Sequence, residues 1–259
     1  MEKFRLIESP QNPLVREAAA IRDRKHRGRE FMVEGPHLVE SALAAGAGIR
    51  QAFFLGAKHK AIVKRIERSG AKVCEVSEKV LKKLTGTETP QGILAIVSIK
   101  KPTISDIDVE KGPVALLDGV QDPGNVGTIV RTADASGASA VVVLQGTADP
   151  FSQKALRASS GSIFSIKIVQ AQRKTVAEEL KNMGLRMVAT TLDADTSIFE
   201  ADLSGPLALV FGNETKGVSA ELRKAADLPV KIPVRGGAES LNVASSAAVA
   251  LYEVMRQEQ

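Results

Sequence analysis

The sequence predicts an α/β chain of two parts, and three observations carry that prediction. From Pro113 onward, continuous apolar runs alternate with helical patterns, as in a parallel sheet covered on both faces. Residues 31–99 also alternate strand and helix, over shorter elements, as in a small α/β sandwich of about 70 residues. Between them, residues 100–113 are rich in Lys, Pro and Gly and break both patterns, which places the linker near residue 105. The expected domains are therefore residues 1–105 and 106–259.

In the first domain, Leu14, Ala18 and Ile21 stand at helical spacing within residues 13–24, a helix expected to serve as an arm. It runs into a basic, exposed turn at residues 22–29. A strand follows at 31–33, a helix at 36–45, a strand at 51–55, a helix at 60–68, and strands at 72–76 and 92–99. In the second domain the strands are expected at 114–117, 140–144, 164–169, 186–190, 207–211 and 230–232. A small apolar helix is expected at 126–135. The last helix, residues 242–255, aligns Val243, Ala247, Leu251 and Val254 in a stripe suited to packing on the sheet or on a second subunit.

Composition narrows the function. The chain has 259 residues and is 44% hydrophobic, enough for two cores. It has no apolar run long enough to span a membrane, and residues 1–16 scatter their charge, so a soluble, cytoplasmic protein is expected. The single cysteine, Cys74, rules out an intramolecular disulfide and is expected as a buried small hydrophobe. His26, His37 and His59 lack metal-ligand spacing, so no metal is expected. The net charge of +5 is uneven: residues 1–105 hold 20 Lys+Arg and 11 Asp+Glu, a net of +9, and the remainder is −4. Such a basic domain suits a polyanion, whose counterions are released on binding. Aromatic residues make up only 3%, which points to recognition of a polyanion's shape and phosphates rather than base stacking.

Three polar, glycine-bearing stretches interrupt the second domain where strands should end, the usual place for ligands in α/β sheets. The first runs from Leu117 to Ala133; Asn125 is expected as the N-cap of the following helix, and Arg131 stands out as a cation in a small apolar helix, suited to an anionic partner. In the second, 209–219, Gly212 allows close backbone approach to a ligand, and Glu214 either orients a hydroxyl or caps a helix. In the third, 232–244, Ser240 and Asn242 either cap the last helix or face a ligand. The dinucleotide fingerprint, the P-loop and the nucleophile elbow are all missing.

In order, Asn125-x-Gly127-x-x-x-Arg131, Gly212-Asn213-Glu214 with Lys216-Gly217, and Ile232-Pro233 with Ser240-Leu241-Asn242-Val243-Ala244 resemble the three motifs of the SpoU family, the RNA 2'-O-ribose methyltransferase branch of the SPOUT superfamily. Residues 9–15 and 31–35 look like that family's substrate-binding domain, whose fold is similar to RNA-binding ribosomal proteins. The resemblance implies a deep trefoil knot in the second domain, a homodimer formed through it, and bent S-adenosylmethionine (AdoMet) among the knot loops. It places the cofactor at Thr190, Gly212, Ile232, Leu241 and Asn242, and catalysis at Arg131, supported by Asn125, Glu214 and Ser240. Thr215 and Arg235 depart from the residues common at their positions, which touches loop shape and RNA contacts. The implied substrate is structured RNA, with ribosomal RNA preferred; the alternatives are a transfer RNA 2'-O-methyltransferase or a non-catalytic RNA-binding, ribosome-assembly factor. Arg131 is often assigned as the base in this family, yet a guanidinium is a poor base at neutral pH and is better suited to clamping phosphate.

Overall fold

A computed structural model describes residues 6–23 and 30–259. Most of the basic run expected as an exposed turn, residues 24–29, lies outside them. The chain divides into two compact units at Lys100–Lys101. The division falls ahead of residue 105 because Ile104 and Ile107 are buried in the core of the second unit.

The first unit is a four-stranded mixed sheet of β1 (Glu30–Glu34), β2 (Gly48–Phe54), β3 (Lys72–Glu75) and β4 (Ile93–Ser98), in the order β1-β4-β2-β3. β4 runs antiparallel to both β1 and β2. Four helices pack around it: α1 (Pro13–Asp23), α2 (Pro36–Ala44), α3 (Lys60–Arg68) and α4 (Glu78–Thr85). The helix expected as an arm is a layer of this core: Val15, Ala18 and Ile21 are buried against residues of α4 and the sheet, with Leu14 only partly covered. Helix α4 was not foreseen, although Ser77 caps its start, Gly86 closes it in a left-handed turn at φ 71°, and Val80, Leu81 and Leu84 form its buried stripe. Cys74 is buried, as expected, and accepts from Gln51.

The second unit is a six-stranded, wholly parallel sheet of β5 (Val114–Asp118), β6 (Ala140–Leu144), β7 (Lys167–Ala171), β8 (Arg186–Thr190), β9 (Leu207–Gly212) and β10 (Leu228–Val230), in the order β10-β8-β9-β5-β6-β7. Its helices are α5 (Pro123–Ala135), α6 (Gln153–Ser159), α7 (Arg173–Asn182), α8 (Ala220–Ala225) and α9 (Val243–Gln257). Strands β5, β6 and β9 are buried on every residue, which explains why they read as unbroken apolar runs. Each fully buried Leu, Ile or Val among them contributes about 1.5–3 kcal/mol.

Two strands lie elsewhere than expected. Residues 162–164 form a 3-10 turn behind the left-handed Ser160 and Gly161, and β7 starts only at Lys167. At the other edge β10 ends at Val230, because Lys231 leaves β8 and pairs instead with the segment at Thr196–Ile198. Strand β5 has β6 on one side and β9 on the other, so the direction of the chain reverses there. The crevice beyond the carboxyl ends of β5, β9 and β8 is where such a sheet takes a ligand.

Candidate active site

That crevice is a cleft of about 310 Å³, lined by the ends of β8 and β9, the turn after β9, and the loop leading into α9. Thr190, Gly212, Glu214, Ile232, Ser240, Leu241 and Asn242 all line it, so residues far apart in sequence meet there. Thr190 gives its hydroxyl proton to the Val210 carbonyl at 2.8 Å, leaving lone pairs for the cleft. Ser240 and Leu241 lie on an exposed loop spanning residues 233–242.

The turn after β9 is built from its own side chains. Asn213 Oδ1 accepts from the amides of Thr215 at 3.0 Å and Lys216 at 2.9 Å, and the Asn213 and Gly217 backbones bond reciprocally. Gly212 lines the cleft, and the space that a side chain would take at its Cα is filled by the chain itself. A Cβ there would collide with the Gly217 carbonyl carbon and the Val218 amide nitrogen. Gly127 has a comparable role, since a Cβ would strike the Ala155 carbonyl oxygen of α6.

Asn125 is not the N-cap of α5. Asp122 holds that position, its Oδ1 accepting from Gly124 at 2.6 Å and Asn125 at 3.0 Å, because Pro123, with its fixed φ and no N–H, occupies the first helical position. The Asn125 side chain is thereby released to work at the rim. Its Nδ2 donates to Glu214 Oε1 at 2.9 Å, and its Oδ1 accepts from Asn242 Nδ2 at 3.2 Å. Asn242 in turn caps α9 by accepting from Ala244 N at 2.8 Å. One amide thus joins the starts of α5 and α9 to the turn after β9.

Glu214 accepts from three donors: Gln121 N at 3.0 Å, Asp122 N at 3.1 Å and Asn125 Nδ2. Partial burial acts to raise its pKa, but the bonds from Gln121, Asn125 and Asp122 together outweigh burial and hold the carboxyl below its ordinary value of 4.5. It is therefore a carboxylate at neutral pH with its oxygens engaged, suited to holding the loop rather than taking a proton. The Asp122 carboxyl is also lowered, first by Lys154, whose Nζ sits 2.6 Å from Oδ2.

Arg131 is exposed on α5 and does not line the cleft. It has no hydrogen-bond or ion-pair partner among the described residues. Sequence reasoning missed Asp118, buried at the end of β5, and the exposed Leu192, which is 69% accessible and lines the cleft. A carboxylate closing an apolar strand was the available signal for the first; no pattern marked the second. No group of His, Cys, Asp or Glu among the described residues could hold a metal ion, and no described helix is long and apolar enough to cross a membrane.

Residues 113–252 match the SpoU rRNA Methylase family, and residues 12–95 match the MRM3-like substrate binding domain. The chain is 37% identical to the 23S rRNA (guanosine(2553)-2'-O)-methyltransferase RlmP of Bacillus subtilis, over 96% of this chain and 98% of that one. Among solved structures, the AdoMet-bound rRNA methyltransferase from Sinorhizobium meliloti superimposes with a TM-score of 0.91 at 35% identity, covering 98% of both chains. The SpoU methyltransferase AviRb from Streptomyces viridochromogenes, in complex with AdoMet, gives 0.84 at 29% identity over 96% of this chain and 98% of that one.

Proposed function

The chain belongs to the SpoU rRNA methylase family, and from that premise we propose that it transfers a methyl group from AdoMet to a ribose 2'-hydroxyl of ribosomal RNA. The observation that carries this reading is the meeting of Asn125, Glu214 and Asn242, one from each of the three motif stretches, in one hydrogen-bonded chain at the rim of the cleft.

The cleft fits the donor. Its size is within the range of small-molecule sites. It pairs the polar backbone of the Asn213–Gly217 turn with Leu192, Val234 and Leu241, large apolar side chains left open to solvent on its walls. Thr190, Gly212, Ile232, Leu241 and Asn242 would hold the cofactor. When bound, AdoMet supplies a methyl group on a positively charged sulfur, ready for in-line displacement by oxygen.

The protein's part is alignment and electrostatics. Asn125 and Glu214 hold the loop that shapes the rim, and Ser240 lies in the loop facing it. Arg131, with a planar guanidinium suited to two parallel bonds, clamps the phosphate beside the reacting ribose and stabilises charge developing on the 2'-oxygen. Glu214 is a positioning residue, its oxygens already occupied.

The basic first unit binds the RNA as a ribosomal-protein-like domain; the mixed four-stranded sheet with packed helices supports that likeness. The second unit forms the methyltransferase domain, with the family's trefoil knot. In favour of the knot is β9, which enters the interior of the sheet between β8 and β5. The enzyme works in the cytoplasm as a homodimer through this domain; Tyr252, 46% exposed on α9, offers an apolar contact for it.

The test is methyl transfer from labelled AdoMet to ribosomal RNA taken from cells lacking the gene, followed by mapping of 2'-O-methyl positions. A single ribose site, restored by the purified protein, is expected. Label on a base, transfer RNA as the preferred acceptor, or RNA binding without AdoMet binding would each overturn the reading.

A further inference from the structure

Asp118 ends β5, at the centre of the sheet, with its side chain 1% exposed. Its Oδ1 accepts from Arg173 Nε at 2.8 Å, and its Oδ2 accepts from Ser219 N, also at 2.8 Å. Arg173, at the start of α7, donates as well to the Gln145 carbonyl just after β6, at 3.1 Å. One ion pair, its carboxylate buried and its guanidinium a third exposed, therefore ties together the loops that follow β5, β6, β7 and β9.

The tie to the β9 loop bears on the cleft. Segments 118–125 and 213–219 are laced by a series of bonds: Asp118 to Ser219 N, the Gly119 carbonyl to Asn213 Nδ2 at 2.9 Å, and Glu214 to Gln121, Asp122 and Asn125. The turn between the ends of this lacing forms one wall of the cleft. Asp118 is the one fastening drawn from inside the sheet, and a carboxylate is required there. Both of its partners are donors, so an amide would accept from one and meet the other with its own N–H. Arg173 supplies the charge that lets a carboxylate sit so deep.

We propose that Asp118, held by Arg173, is a positioning residue for the donor cleft, setting the place of the Asn213–Gly217 turn through the Ser219 amide. This rests on the reading that the cleft takes AdoMet. Two variants isolate the bond. Asp118→Asn removes one acceptor. Ser219→Pro removes the amide hydrogen, along with the hydroxyl, and sets a ring carbon toward Asp118 in its place; Ser219 already has φ −59°, which proline adopts.

AdoMet affinity is measured by calorimetry for the wild-type protein, each variant and the double variant, alongside amide hydrogen exchange. Each variant is expected to weaken AdoMet binding about tenfold, the scale of one charge-assisted bond. The double variant should lose less than the two single losses multiplied, because both variants act on the bond between residue 118 and the Ser219 amide. Exchange should quicken at Asn213, Thr215, Lys216 and Gly217 while the β6 and β8 amides stay protected. Unchanged exchange at that turn in a folded Asp118→Asn protein, or losses that multiply in the double variant, would overturn the proposal. If the wild-type chain binds no AdoMet, the functional reading fails, and the exchange result still decides the positioning role.

Discussion

Asn125 and Glu214, 89 positions apart in the chain, are joined by a 2.9 Å hydrogen bond from Asn125 Nδ2 to Glu214 Oε1. The same asparagine accepts from Asn242, 117 positions away. The rim of the cleft therefore depends on a residue that donates and accepts at once, which among side chains of this size an amide does.

Replacing Asn125 by alanine removes both bonds and leaves a carboxylate and an amide short of a partner. Both bonds are exposed, so stability should fall by only about 0.5–1.5 kcal/mol, seen as a lower Tm. The rate of methyl transfer should fall at least about tenfold, since the loop that frames the reacting groups loses its tether. Asn125→Asp should be no rescue, because it sets a second carboxylate against Glu214.

Gly212→Ala drives a methyl group into the Gly217–Val218 peptide, which cannot swing away as a side chain would. The expected cost is about 3 kcal/mol of stability, with AdoMet binding lost because the turn must shift. Thermal melting and calorimetry check the two effects. Gly127→Ala should also destabilise, by parting α5 from α6, but with weaker consequences for donor affinity in protein that remains folded.

The acid response follows from Glu214. Its folded pKa lies below the ordinary 4.5, so its contribution to stability is complete above that value and is lost as pH falls through the folded pKa. AdoMet affinity should therefore hold steady from neutrality down to about pH 5 and decline only in stronger acid. In Glu214→Gln that acid decline should be blunted, while affinity at neutral pH is lower than in the wild type. A wild-type decline centred near neutrality would point to another group.

Arg131→Lys separates charge from shape. Arg131 is exposed and has no partner among the described residues, so Tm should move little, within about 0.5 kcal/mol in stability. AdoMet affinity should also be unchanged. Single-turnover methyl transfer should fall about a hundredfold, because lysine cannot span a phosphate with two parallel bonds. Near-normal turnover would remove the special role of the guanidinium.

Much of the fold was legible because the second unit's inner strands are buried on both faces. Residues 140–144 and 186–190 were placed to the residue: the first is an unbroken apolar run, and in the second Arg186 and Thr190 bracket the buried Met187, Val188 and Ala189. Where the signal was capping rather than burial, the reading slipped. Helix α4 was passed over despite Ser77 and Gly86, and the cap of α5 was assigned to Asn125 instead of Asp122. Both Asp and Asn cap helices well, and the pattern Asp-Pro-Gly-Asn offers two candidates; Pro123 at the first helical position decides between them.

By itself, the sequence determined the two-part α/β architecture, the basic character of the first part, and the residue types at three loop stretches. The tertiary structure alone decided what those residues touch. It made Glu214 a carboxylate saturated by loop donors, turned Gly212 toward its own chain, and set Asp118 beneath the Ser219 amide. The reason is that periodicity reports only which side of an element is buried. The bonds from Asp118 to Ser219 and from Asn125 to Glu214 span 101 and 89 positions, and their ends are brought within bonding distance because β9 pairs directly with β5.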